Sequence, residues 1–205
     1  MVLYGASGHG KVILGILEEA GVVNITICDD GPIEDFLGYK VHKSNLFENI
    51  LDDNTIISIG VNATRKKVVG KLNKSITFGK AIHPKAIISK RSCFGDGTVV
   101  MAGAVVNPGV TIGKHCIINT CASIDHDCIL GDFVHISPNA TLSGNVSVGE
   151  GTHIGSGAVS IQGIKIGKWC TVGAGTVIIK DIPDYATAVG NPARIIKVKQ
   201  HLNEV

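Results

Sequence analysis

Residues 112–130 read IGKHCIINTCASIDHDCIL, and this stretch decides the fold. Ile112, Ile118, Ile124 and Leu130 recur at every sixth place. Followed outward, the same step lands on Ile82, Ile88, Phe94, Val100 and Val106 on one side. On the other it lands on Ile136, Leu142, Val148, Ile154, Ile166, Val172 and Ile178, with Ser160 as the polar exception. Four places after each large residue stands a small or β-branched one, as at Ala104, Val110, Cys116, Ala122, Cys128, Val134 and Ala140. Neither the helical period nor simple alternation produces this pattern. It predicts a parallel β-helix in which each hexapeptide is one short face of a prism and three faces make a coil. Coils stack at the strand spacing of ~4.8 Å. The large residue points to the axis, and the small one lets neighbouring faces close.

The chain has 205 residues and a net charge of +2. That balance points to neither nucleic acid nor a membrane surface as a partner. No run of apolar residues is long enough to span a bilayer, and residues 1–20 lack the plan of a signal peptide, so the expected location is the cytoplasm. Of the six cysteines, Cys116, Cys128 and Cys170 occupy the small inward position, where Cys acts as a compact apolar residue. With no Cys-x-x-Cys, neither a disulfide framework nor a metal site is expected.

Residues 1–80 read differently, as an α/β domain ahead of the β-helix of 81–205. A strand at Val2–Tyr4 runs into Gly5-Ala6-Ser7-Gly8-His9-Gly10-Lys11, and Val12, Ile13, Ile16, Leu17 and Ala20 then form a helical stripe. A second strand over 22–28 ends at Asp29-Asp30. A third over 55–59 leads through Gly60-Val61-Asn62 into a helix from about Thr64 to Leu72. Strand, Gly-rich turn, helix and strand are a Rossmann-like, nucleotide-binding plan. Gly5 to Lys11 is not a P-loop, because Val12 stands where the magnesium-binding hydroxyl belongs. It also misses the dinucleotide fingerprint, with Ile13 at the third glycine. What survives is the mechanism: glycines let the backbone approach a ligand, and a helix N-terminus offers N–H groups to phosphate. A plain tight turn is the competing reading. The carboxylates of Asp29 and Asp30 suit the donors of a base, ribose or sugar, or simply start a loop. From a basic run between Asp53 and Asp96, Arg65 stands out beside the turn at Gly60 and Asn62.

In the repeat, Ile124-Asp125-His126-Asp127-Cys128 sets a His between two carboxylates. An imidazole there has the pKa of a general base, and a carboxylate on its other nitrogen would fix the tautomer. Adjacent residues of a flat strand face opposite ways. A contact with Asp127 therefore needs a turn, and Asp125 competes for the role. Gly144 lies one coil beyond His126, where a backbone N–H would serve as an oxyanion donor.

The repeat, the string at Gly5–Gly10, the pair Asp29-Asp30, the turn Gly60 to Arg65 and Val189-Gly190-Asn191-Pro192-Ala193-Arg194 together resemble one family. It is the sialic acid O-acetyltransferase-like group of hexapeptide-repeat acyltransferases, which includes the bacterial UDP-4-amino-sugar N-acetyltransferases. Val61 departs from its Gly-Asn-Asn-x-x-Arg turn. The resemblance implies a left-handed β-helix with a C-terminal cap, and a homotrimer with active sites between subunits. It implies acetyl-CoA as co-substrate and a nucleotide-linked 4-amino sugar, UDP- or GDP-linked, as acceptor in surface glycan biosynthesis. His126 would be the base and Asp127 its partner. Asn119, His135, Gly144, Ser156 and Ala174 would contact acetyl-CoA. Ser7, Gly8, His9, Asp29, Asp30, Gly60, Asn62 and Arg65 would face the nucleotide sugar. O-acetylation of sialic acid or another sugar hydroxyl is the alternative, since the same base would serve.

Overall fold

A computed structural model describes residues 1–43, 54–72 and 76–199. The polar tail beyond residue 199 lies outside it. The N-terminal part is a five-stranded sheet with helices. Its elements are β1 (Val2–Tyr4), α1 (Gly8–Glu19), β2 (Thr26–Cys28), β3 (Asp35–Phe36), β4 (Tyr39–His42), β5 (Thr55–Ile57) and α2 (Asn62–Lys71). The strand order is β3-β4-β2-β1-β5, parallel except for the β3–β4 pair. The second and third strands are shorter than the sequence suggested, and α2 starts two residues earlier.

From Ala81 onward the chain winds through two-residue strands that build three parallel sheets, the faces of a triangular prism. The first face stacks Ala81–Ile82, Val99–Val100, Ile117–Ile118, His135–Ile136, His153–Ile154 and Thr171–Val172. The second runs from Ile87–Ile88 to Val177–Ile178, and the third from Cys93–Phe94 to Lys165–Ile166. Partners sit 18 residues apart, as in Ile118↔Ile136↔Ile154. Both predicted inward positions fill one core: Val100, Ile118, Ile124 and Ile136 pack with Ala104, Cys116, Ala122 and Ala140, all fully buried or nearly so. All six cysteines are free.

The turns show a second period of six. Each places one residue in the left-handed backbone region, from Gly97 and Gly103 through His115, Cys121, Asp127, Phe133, Asn139 and Asn145 to Trp169 and Gly175. Such a residue folds the chain sharply back, which lets two-residue strands alternate with corners.

The outward column of the first face decides where the N-terminal domain sits. Ala81, Val99 and Ile117 are apolar and buried, packed in one cluster with Ile13, Ile16 and Leu17 of α1. Burying each large side chain contributes roughly 1.5–3 kcal/mol. Higher in the same column stand His135, His153 and Thr171. There the packing ends and a cavity begins. The prism closes with the strand Ala186–Val189 and the antiparallel Arg194–Val198, joined through the turn that carries Asn191 and Pro192.

Candidate active site

A cavity of about 920 Å³ lies between the C-terminal edge of the N-terminal sheet and the first face of the prism. Ser7, Asp29, Asp30, Gly60, Asn62 and His135 line it. The first turn of α2 also faces it, through Val61 to Thr64. First-turn N–H groups have no partner within the helix, so this wall suits an anion.

The carboxylate of Asp29 does more than line the wall. Its Oδ2 accepts from the Ala6 N–H at 2.7 Å and its Oδ1 from the Gly31 N–H at 2.6 Å, which holds the Gly-rich turn in place. Asp30 Oδ2 accepts from the Tyr4 hydroxyl at 2.8 Å. Gly8 and His9 lie on the first turn of α1, and the His9 ring is tilted toward that of His135, with centroids 6.4 Å apart.

Arg65 corrects the sequence reading. It was expected to face the substrate, yet it is fully buried. Its Nε donates to His115 O, Nη1 to Ile59 O and Gly60 O, and Nη2 to Asn62 Oδ1 and Phe133 O. The guanidinium fork has five N–H groups, and these contacts occupy them. Asn62 Nδ2 in turn donates to Gly151 O and Thr152 O. The pair clasps α2 to a corner of the prism, and burial holds the Arg65 pKa at about 10. Asn62 keeps its place on the wall, but its amide is already committed.

Four histidines gather around this clasp. Burial pushes His135 down to about 3 and His9 and His115 to about 4, with the Arg65 charge adding to each. His153 is lowered for the same reasons. His115 stacks on Phe133 with centroids 5.1 Å apart and meets Phe78 edge-on. His135 stacks on His153 at 4.7 Å. Asn119 Nδ2 lies 3.1 Å from His135 Nε2.

His126 stands elsewhere, at the corner between the second and third faces. Its Nδ1 is 2.8 Å from Asp127 Oδ2, and both side chains are more than half exposed. Asp127 adopts φ +58°. This is the turn the contact required. Asp125 is not the partner: its Oδ1 accepts from the His126 N–H at 2.8 Å and from Asn107 Nδ2 at 2.7 Å. The hydrogen bond to Asp127 raises the His126 pKa above its ordinary value, and the charge of Asp125 adds to it. Gly144 is buried against the ring: a Cβ built on it would come within 2.5 Å of His126 Nε2. No described residue accepts from the Gly144 N–H.

Asn119, Ser156 and Ala174 lie at the third corner, between the first and second faces. Ser156 and Ala174 are exposed and exactly one coil apart, an upright track along the prism. Sequence reasoning missed Tyr4, Trp169, Thr171, Tyr185 and Lys199, which also line the cavity. Trp169 turns through left-handed backbone at the corner between the third and first faces, where no side-chain pattern in the sequence announces it. Among the described residues no group of three or more His, Cys, Asp or Glu is placed to hold a metal ion. No described helix is long and apolar enough to cross a membrane.

Comparison with known proteins matches residues 1–72 to the PglD N-terminal domain, and 94–126 and 127–159 to the bacterial transferase hexapeptide (six repeats). The acetyltransferase domain of PglB from Neisseria gonorrhoeae FA1090, solved with acetyl coenzyme A, is 38% identical with a TM-score of 0.91. The match covers 95% of this chain and 98% of that one. The chain belongs to the PglD-type hexapeptide-repeat transferases.

Among these PglD-type transferases, PerB from Caulobacter crescentus, solved with CoA and GDP-perosamine, is 38% identical with a TM-score of 0.89. That match covers 96% of each chain. The UDP-N-acetylbacillosamine N-acetyltransferase of Bacillus subtilis (strain 168) is 42% identical over 110 residues. This stretch is 50% of the present chain and 51% of the Bacillus protein, about half the length of that curated relative.

Proposed function

We propose that the chain is an acetyltransferase that moves the acetyl group of acetyl-CoA to the amine of a nucleotide-linked 4-amino sugar, as a step in bacterial surface glycan biosynthesis. The observation that carries this reading is the His126–Asp127 pair, 2.8 Å apart at an exposed corner with Nε2 left free. Asp127 accepts from Nδ1–H, which fixes the tautomer whose Nε2 takes a proton. The sugar amine attacks the thioester carbonyl and a C–N bond forms. His126 Nε2 removes the amine proton, and the Gly144 N–H faces the oxygen that gathers charge. The C–S bond then breaks, and His126 returns the proton to the departing thiolate.

The cavity supplies the acceptor site. Asp29 and Asp30 suit the donors of base and ribose, and the α2 N-terminus suits the diphosphate. The track through Asn119, Ser156 and Ala174 suits an extended pantetheine arm held by backbone contacts. The names of the relatives favour amine over hydroxyl as the acceptor. Acetyl-CoA as donor suits a reaction in the cytoplasm.

The cavity opens on the first face, and His126 stands at the corner opposite that face. An amine held in one chain's cavity is therefore separated from that chain's own base by the width of the prism. This supports a homotrimer in which a second copy brings its His126 to the amine.

The test is acetyl-CoA turnover, read as free thiol, with UDP- and GDP-linked 4-amino sugars and with sialic acid. Turnover on one amino-sugar nucleotide, lost in His126→Ala, is the expected result. Turnover on sialic acid alone would replace the acceptor.

A further inference from the structure

The corner that carries His126 repeats every 18 residues. Its left-handed positions are Gly109, Asp127, Asn145 and Gly163, with φ between +58° and +78°. The two glycines share a backbone shape and differ in surroundings. A Cβ built on Gly163 meets nothing within 4 Å. A Cβ built on Gly109 would lie 2.3 Å from Asp127 Oδ1 and 3.3 Å from its Cγ. The Asp127 carboxylate therefore rests in the space that a side chain at 109 would fill. One oxygen lies over Gly109 and the other bonds His126 Nδ1.

We propose that Gly109 is a positioning residue for the His126–Asp127 pair: by lacking a side chain, it seats the carboxylate where it can hold the imidazole. This rests on His126 being the base. A methyl group at 109 meets the free end of a flexible side chain, so Asp127 rotates away while the coil stays intact. Gly144 closes the pair from the next coil by resting against the ring. The coils on either side present Asn107, Pro108 and Gly109 below and Ser143, Gly144 and Asn145 above, none of which titrates. Asp125 and Asp127 are the charges that bear on His126.

The test is the NMR titration of His126 in wild type, Gly109→Ala, Gly163→Ala, Asp127→Ala and Gly109→Ala/Asp127→Ala, with the kcat/KM–pH profile of each. Gly163→Ala reports the cost of a side chain in the same left-handed backbone without the collision. Wild type and Gly163→Ala should titrate together, above the ordinary histidine value. Gly109→Ala should drop to the Asp127→Ala value, its acid limb moving with it, and the double variant should drop no further. Gly109→Asn, which tolerates left-handed backbone, replaces Gly109→Ala should the latter not fold. Titration of Gly109→Ala alongside Gly163→Ala would overturn the assignment, as would a further drop in the double variant. Should His126→Ala keep full turnover while the titrations behave as stated, the proposed base is wrong and the positioning stands.

Discussion

His126 Nδ1 meets Asp127 Oδ2 at 2.8 Å because Asp127 turns through left-handed backbone at φ +58°. Side chains of neighbouring residues, which diverge on a strand, converge at this corner. As the proposed base, His126 must be neutral to accept a proton, so activity should fall as pH drops through its pKa. Asp127 raises that pKa. Asp127→Asn should lower kcat more than it raises KM and shift the acid limb of kcat/KM to lower pH. Steady-state rates between pH 5.5 and 9 check both effects.

Arg65 joins α2 to the carbonyls of His115 and Phe133. Arg65→Ala leaves several buried acceptors without a donor, at about 1–3 kcal/mol each. Denaturant unfolding should show a loss of roughly 3 kcal/mol or more by that measure. Arg65→Lys should recover only part of it, since an ammonium cannot reproduce the fork.

The histidines around Arg65 are held neutral, with pKa values of about 3 for His135 and about 4 for His9 and His115. Their folded values lie below the unfolded 6.5, so the unfolded chain binds more protons in between. Stability is then fully present above about pH 6.5 and is lost as pH falls toward 4. Unfolding midpoints should fall across that window, and His115→Phe should flatten the fall.

Ser160 is the one polar residue at the large inward position. It is 4% exposed, with no partner for its hydroxyl among the described residues. Ser160→Ala removes a buried unsatisfied group and should stabilise the prism by about 1 kcal/mol. A calorimetric melt that moves down instead would show that the hydroxyl is satisfied.

The prism was legible because burial repeats: every sixth residue from Val100 to Val148 must face the axis, and hydropathy records that directly. The left-handed corners were not legible. Gly109, Asp127, Phe133 and Trp169 share a backbone angle and no side-chain property. The contact between His126 and Asp127 was therefore anticipated only through a resemblance, with Asp125 left as a rival. Arg65 was misread for a related reason. A basic residue beside a Gly-rich turn looks alike whether it meets a phosphate or a carbonyl, and its partners lie 50 and 68 residues away in the chain. Trp169 and Tyr185 reach the cavity from coils far beyond the motifs that announced it.

The most direct measurement is acetyl-CoA turnover with UDP- and GDP-linked 4-amino sugars, for wild type and His126→Ala. A base of this kind contributes about 10²–10⁴-fold. The account predicts turnover on one of these nucleotide sugars and a loss of that order in the variant. Equal rates for the two proteins would contradict it.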